Sequence, residues 1–289
     1  MKISVTTYSF HGLISEDKLG MKGVIAKIKE FGADAIEYSL ADRPHDEYME
    51  YAKRANALAG EAGIDSACFA VGADFLNGSG GNLKDEIKRV QGLVDVAEAL
   101  GVKVMRHDTA YGFAPSVRSA RSFDCALPRI IEGCREVTKY AEQKGIVTCT
   151  ENHGYFAQDA ERVEKIIAGV AEDNFGSLVD FGNFLCADGD PAKSVGLLAQ
   201  YARHAHAKDF YYKPGYLDDP GAMWFQTRGG NYLKGAIIGH GVVPVKQCLR
   251  LLKKSGYEGF VTVEYEGHED TLTGIKVGID NLKRFMSEI

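Results

Sequence analysis

Four short stretches of this 289-residue chain end in groups that bind hard cations. TCTENHG carries Glu151 and, just beyond it, His153; LVDFGN carries Asp180; HAHAKD carries His206; and VTVEYEG carries Glu264. Three carboxylates and one imidazole form an oxygen-rich set suited to a single divalent ion. Mn²⁺ is the first choice, and Mg²⁺, Zn²⁺ or Co²⁺ fit better than Cu(I) or an iron–sulfur cluster. With its ion such a site would carry a formal charge of about −1, and its open positions would take two oxygens of a hydroxy-ketone. An acid or His at the end of a strand often does no more than cap the next helix. Four of them at matching places in four successive units are harder to assign to capping. His11, His107, His153, His206 and His268 also stand at or just past apolar runs, which concentrates the histidines at one end of the elements.

Those elements are strand-like runs rich in Val, Ile, Cys and Thr at 3–7, 35–39, 64–70, 102–107, 146–151, 177–181, 203–208 and 260–264. Segments with helical periodicity lie between them, including VIAKIKEFG, IKRVQGLVDVAEALG and VEKIIAGVAED, and several close on a Gly before the next strand. Asp190 before Pro191 reads as an N-cap followed by Pro at the first helical position. Eight βα units predict a parallel sheet closed into a (β/α)8 TIM barrel spanning 1–289 as a single domain. No GxGxxG follows the first strand, which argues against a dinucleotide-binding fold. In a barrel the reactive groups come from the C-terminal ends of strands, about 4.8 Å apart, so four consecutive ends can converge on one ion. Alternation makes the reading testable. Cys149 should face inward with Glu151; His204 and Lys208 with His206; and Thr262 with Glu264, while Val261 and Val263 pack outward. Two connections are long, from about Asp108 to Asp124 and from about Asp209 to Val242, and both follow strands on the catalytic face.

Composition narrows the function classes. The chain is 45% hydrophobic and 26% charged, as in an ordinary globular protein with a large core. Its formal net charge is −6, and scattered Lys and Arg supply no basic stripe for a nucleic acid. The opening MKISVTTYSF alternates like a strand and lacks the apolar stretch of a secretion signal, and no apolar run reaches membrane-spanning length. The expectation is therefore a cytoplasmic enzyme with a small-molecule partner, no nucleic acid and no membrane. The six cysteines form no CxxC pair, and all are read as reduced and structural.

Taken together, the opening SVTTYSF, AIEYS, ENHG, VDFGN followed by DGDP, HAHAKD, IGHGVV and GYEGFVTVEYEG resemble the sugar phosphate isomerase/epimerase family of xylose isomerase-like barrels. The resemblance spans nearly the whole chain and rests on the order of the motifs. It implies that Glu151, Asp180, His206 and Glu264 hold the metal. It also implies that Glu151 and Glu264 transfer a proton through an enediolate, one removing it and the other returning it. At the third position after Asp180, where ketose 3-epimerases of the family often carry His, this chain has Asn183. His153, Asn183, Lys208, Arg228, His240, Glu37 and His107 are candidates for contacting substrate hydroxyls. Arg228, Gly229 and Gly230 suggest a phosphate position, but no Gly-rich helix start accompanies them and none is expected. The aromatic segment with Tyr211, Tyr212, Tyr216, Trp224 and Phe225 suits either stacking on a sugar or packing against another subunit, and a homo-oligomer is expected.

The leading expectation is a metal-dependent isomerase or epimerase of a free sugar or keto-sugar. The alternative is a lyase or dehydratase that uses the same enediolate on a keto-sugar, keto-inositol or oxidised glycoside. A nuclease of the abasic-site type would need more His and Asp ligands and a basic groove. A non-catalytic sugar-binding protein would not need a complete ligand set.

Overall fold

In the computed structural model, which describes residues 1–15 and 18–289, seven parallel strands follow one another: β1 (Lys2–Thr6), β2 (Ala35–Ser39), β3 (Asp65–Val71), β4 (Val104–His107), β5 (Val147–Glu151), β6 (Phe175–Asp180) and β7 (Ala202–Ala207). Three short strands intervene, β8 (Asp209–Lys213), β9 (Phe225–Gln226) and β10 (Tyr232–Ala236), before β11 (Phe260–Val263). β11 pairs with both β7 and β1 and so closes an eight-stranded parallel barrel in one domain. The eight runs expected from the sequence are these eight strands, with ends displaced by at most two residues.

The helices wrapped around the barrel begin and end where local chemistry dictates. In the helix Leu83–Ala99 the Asn82 side chain accepts from the Lys84 and Asp85 N–H groups. In the helix Phe123–Glu142 Ser122 accepts from Cys125 N, and in the helix Pro191–Leu198 Asp190 accepts from Lys193 N with Pro191 at the first position. The helix at His45–Ala62 stops at Gly63, whose φ of 68° is the left-handed conformation a helix end favours. The helix at Val245–Lys254 buries Val245, Cys248, Leu249 and Leu252, a stripe at i, i+3, i+4 and i+7.

Alternation along the strands separates two environments. Val261 and Val263 are fully buried in the apolar layer between strands and helices, with Val263 beside Gly278 of the C-terminal helix, Thr271–Ser287. Thr262 faces the barrel axis, its Oγ1 2.5 Å from Ser4 Oγ. Barrel interiors are usually filled by branched apolar side chains. Here the inward layer instead includes buried Ser4, Glu37, His204 and Thr262, a polar floor beneath the strand ends.

The Asp209–Val242 connection, expected only as a long loop, contains the antiparallel sheet β8-β10-β9. Its base is pinned by one side chain. Asp209 Oδ1 accepts from Phe210 N and Val243 N, and Oδ2 accepts from Gly239 N and Gly241 N, at 2.8–3.0 Å. A Cβ on Gly241 would lie 2.2 Å from Asp209 Oδ1, which accounts for the glycine after His240. All six cysteines are free, and only Cys125 is exposed. Among the described residues, no helix is long and apolar enough to cross a membrane.

Candidate metal centre

Glu151 and Asp180 are the last residues of β5 and β6, His206 is the next-to-last of β7, and Glu264 directly follows β11. Register aligns them: Asp180 is opposite His206, and Glu264 N donates to Ala207 O at 3.1 Å. One ligand atom from each of the four lies within 4.8 Å of all the others. His206 Nδ1 is 3.2 Å from Glu264 Oε2, 3.7 Å from Asp180 Oδ2 and 3.9 Å from Glu151 Oε1. Oxygen ligands about 2.0–2.6 Å from a shared divalent cation would be roughly 4.0–5.2 Å apart when opposed, so the spacing fits one ion.

Two further features fit a cation. Asp180 Oδ1 accepts from Gly182 N and Asn183 N at 2.8 and 2.7 Å, whereas the buried Oδ2 has no hydrogen-bond partner and is the atom turned toward the cluster. A buried carboxylate oxygen without a hydrogen bond is costly unless something positive meets it, and the nearest cationic groups, Lys208 Nζ and His206 Nδ1, stand off at 3.6 and 3.7 Å. His206 Nε2 donates to Glu37 Oε2 at 2.8 Å. Burial works against protonating His206, but Glu37 and Glu264 outweigh it and raise the imidazole well above its usual value, so without an ion Nδ1 donates to Glu264 as well. A cation among the carboxylates would take the Nδ1 lone pair in place of that proton, with the carboxylate behind the ring orienting the ligand. Glu37 on β2 therefore reaches across the barrel interior to β7, where it also binds His204 at 2.8 Å. Burial works against ionising Glu37, but His206 and His204 hold its carboxyl well below the usual range.

The carboxylates are themselves held. Asn183 Nδ2 donates to Glu151 Oε1 at 2.8 Å, and Arg106 pairs with Glu151 Oε2 at 2.6 Å, so both oxygens of Glu151 are engaged. Burial pushes the Glu151 carboxyl up, and Arg106 opposes it. Glu264 differs. Its Oε2 takes both Lys208 Nζ, at 2.7 Å, and His206 Nδ1, while Oε1 has no partner among the described residues. Burial opposes ionisation of Glu264 as well, but Lys208 and His206 hold it well below its ordinary value. Lys208 Nζ also donates to Asn183 Oδ1 at 3.1 Å and approaches Glu266 and Asp180 at 3.4 and 3.6 Å. Gly182 makes room for this arrangement, since a Cβ there would lie 3.0 Å from the Lys208 backbone oxygen. Asn152 fastens β5 to β6 by exchanging two 2.9 Å hydrogen bonds with the Asp180 backbone.

The family profile of the xylose isomerase-like TIM barrel matches residues 25–285, most of the chain and all four clustered residues. This chain is a xylose isomerase-like TIM barrel. Its sequence is 26% identical over 153 residues to an inosose dehydratase of Yersinia enterocolitica, covering 50% of this chain and 49% of the relative. The chain thus spans about half the length of the curated relatives it matches. Two solved structures share the fold from end to end. A probable 3-DHS dehydratase from Bacillus anthracis gives a TM-score of 0.74 at 16% identity, covering 98% of this chain and 99% of the other. The 3-keto-D-glucoside 4-epimerase of E. coli gives 0.72 at 16% identity, with the same coverage.

Within this xylose isomerase-like barrel, the remaining candidates are placed unevenly. His153 lines the same cavity as Glu151, His206, Lys208 and Glu264, and its Nδ1 is 2.9 Å from Asp108 Oδ1. Burial works against protonating His153, but Asp108 outweighs it and raises the imidazole above its usual value. Asn183, Lys208 and Glu37 are built into the cluster as described above. Arg228 is not in it: its guanidinium clasps Asp159 at 2.6 and 2.8 Å, tying the β9–β10 turn to the loop after β5. Gly229 N is likewise taken by Asp188 Oδ2. His240 lies exposed in the turn pinned by Asp209. His107 points into the helix layer, its ring near Phe75 and Phe175, and burial pushes its pKa down to about 4. Its neighbour Arg106 faces the cluster instead, in register with Cys149. Sequence reading singled out His107 and missed Arg106. The available signal was an Arg inside an apolar strand, where only an inward position with an anionic partner would accommodate it.

Proposed function

We propose that this protein is a divalent-metal-dependent enzyme that isomerises or epimerises a keto-sugar by moving a proton at the carbon beside its carbonyl. The observation that carries this reading is the asymmetry of the two glutamates. Both belong to the cation cluster, but only Glu264 keeps an oxygen, Oε1, free of hydrogen-bond partners. A carboxylate that binds through one oxygen retains the other as a base, so Glu264 takes the proton.

A divalent cation held by Glu151, Asp180, His206 and Glu264 would polarise the substrate carbonyl and offset the negative charge that grows on its oxygen as the proton leaves. Mn²⁺ or Mg²⁺ best suits these donors. The chain's own groups do the rest. Lys208 fixes the Glu264 carboxylate and places an ammonium beside the reacting carbon. Arg106 and Asn183 immobilise Glu151, and His153, oriented by Asp108, faces the same cavity as a hydroxyl partner. Inversion at the carbon would require Glu151 to release one of its bonds and serve as the second acid–base group.

A second reading is loss of a β-hydroxyl from a keto-sugar or keto-inositol. It is favoured by the single free carboxylate oxygen, Glu264 Oε1, by the Lys208–Glu266 pair beside it as a proton source for the leaving oxygen, and by the inosose dehydratase relatives. Incubating the Mn²⁺-loaded protein in D₂O with a panel of ketoses, keto-glucosides and inososes separates the readings. Deuterium gained with a change only of stereochemistry or carbonyl position supports isomerisation or epimerisation, and release of water with a new C=C bond supports elimination. Neither deuterium uptake nor release of water with any member would sink both.

A further inference from the structure

The cavity over the cluster is about 230 Å³, smaller than the roughly 300 Å³ at which small-molecule sites usually begin. A second cavity of about 390 Å³ adjoins it, and the two share Tyr8 and Glu266 as lining residues. Together they reach the ordinary range for a bound small molecule; the catalytic cavity alone does not.

The walls of the second cavity come from three places: the loop after β1, the segment after β11 and the β8–β10 sheet. The sheet is seated tightly, because a Cβ on Gly235 of β10 would lie 2.1 Å from the Glu266 backbone oxygen. Met223 and Phe225 are thereby presented to the cavity. Met223 is 56% exposed and has a φ of 73°, a left-handed conformation that costs energy in a non-glycine residue and is kept where the surroundings enforce it. Phe225 is braced edge-on against the buried Phe210, with ring centroids 5.6 Å apart, and is left 37% exposed. The same cavity is lined by polar groups, His11, His268 and Glu266, and at the junction by Tyr8, whose hydroxyl has no hydrogen-bond partner among the described residues. A cavity that combines an apolar platform with polar groups suits a ring with apolar faces and a hydroxylated rim.

We propose that this second cavity binds a second pyranose ring joined through a glycosidic oxygen to the reacting sugar, so that the substrate class is a keto-glycoside rather than a free monosaccharide. The inference rests on the keto-sugar reading above. The linking oxygen lies between Tyr8 and Glu266, where the free Tyr8 hydroxyl donates to it, and Phe225 and Met223 cover one face of the second ring.

The test uses unoxidised sugars, which bind without reacting: D-glucose, cellobiose, maltose and phenyl β-D-glucoside. Each is added to the Mn²⁺-loaded full chain and followed by calorimetry and saturation-transfer NMR. A disaccharide should bind roughly tenfold tighter than glucose, with saturation reaching both rings. Phe225→Ala and Met223→Ala, both at exposed positions, should each weaken disaccharide binding roughly three- to tenfold and glucose binding by less than about twofold. Neither disaccharide binding tighter than glucose, or both variants leaving disaccharide binding unchanged, would overturn the second-ring site. Phenyl glucoside binding tighter than both disaccharides would overturn its assignment to a hydroxylated ring. Deuterium exchange on keto-sugars is scored separately: exchange without disaccharide preference removes only the second ring, and disaccharide binding without exchange removes only the catalytic reading.

Discussion

A carboxylate that both holds an ion and moves a proton is pulled two ways, because a neighbouring cation makes it a weaker base. On the proposed reading Glu264 would meet this conflict by division: Oε2 faces Lys208 and His206, and Oε1 stays unpartnered. Glu264→Gln should keep the metal through its amide oxygen while kcat falls roughly 10²- to 10⁴-fold, as checked by steady-state kinetics alongside metal content. Loss of metal together with activity would assign Glu264 to binding alone. Glu37 acts one layer further out, holding His206 by Nε2 so that Nδ1 points at the carboxylates. Glu37→Gln should weaken metal affinity by roughly 10- to 100-fold in a chelator-competition titration, and an unchanged affinity would contradict its orienting role. The four residues that cluster and their strand-end spacing were legible in the sequence. The partnership of Glu37 with His206 was not, because they lie 169 positions apart and meet only once the barrel closes. Arg106 was missed for a related reason: which of two adjacent residues faces inward depends on a register that no local pattern reveals.

The elements that carry these residues differ in how plainly the chain announces them. Runs such as VTCTE and FGSLVD are apolar and β-branched, and they alternate with periodic helices, so their order could be read directly. The β8–β10 sheet could not: β9 has only two residues, and the segment is punctuated by Gly, Pro and Asp. IGHGVV stood out as a motif, but its cause lies in Asp209, which gathers four backbone N–H groups from Phe210 and from that turn. Asp209→Ala would leave those donors without their acceptor. It should lower stability by roughly 1–3 kcal/mol in denaturant unfolding, and a change within experimental error would show that the turn holds without it. The same substitution should loosen the sheet that carries Met223 and Phe225, seen as faster amide exchange across residues 209–243 than in the wild type.

At the scale of the whole molecule, the barrel brings four strand ends to one point, and each contributes a group of little use alone. The polar floor of Ser4, Glu37, His204 and Thr262 replaces apolar filling beneath them, so part of the interior is shaped for the site rather than for packing. A cation that binds only the folded form adds stability in proportion to the logarithm of its concentration. Mn²⁺ at 100 times its Kd should contribute about 2.7 kcal/mol and raise Tm by roughly 5–10 °C, an effect reversed by chelation. A Tm indifferent to Mn²⁺, Mg²⁺ and chelator would contradict it. The central claim, one cation shared by Glu151, Asp180, His206 and Glu264, is tested most directly by the metal content of the purified chain after Mn²⁺ loading and desalting, measured beside Asp180→Asn and His206→Ala. The account predicts about one ion per chain in the wild type and almost none in either variant. A wild type that retains no divalent metal, or variants that retain as much as the wild type, would contradict it.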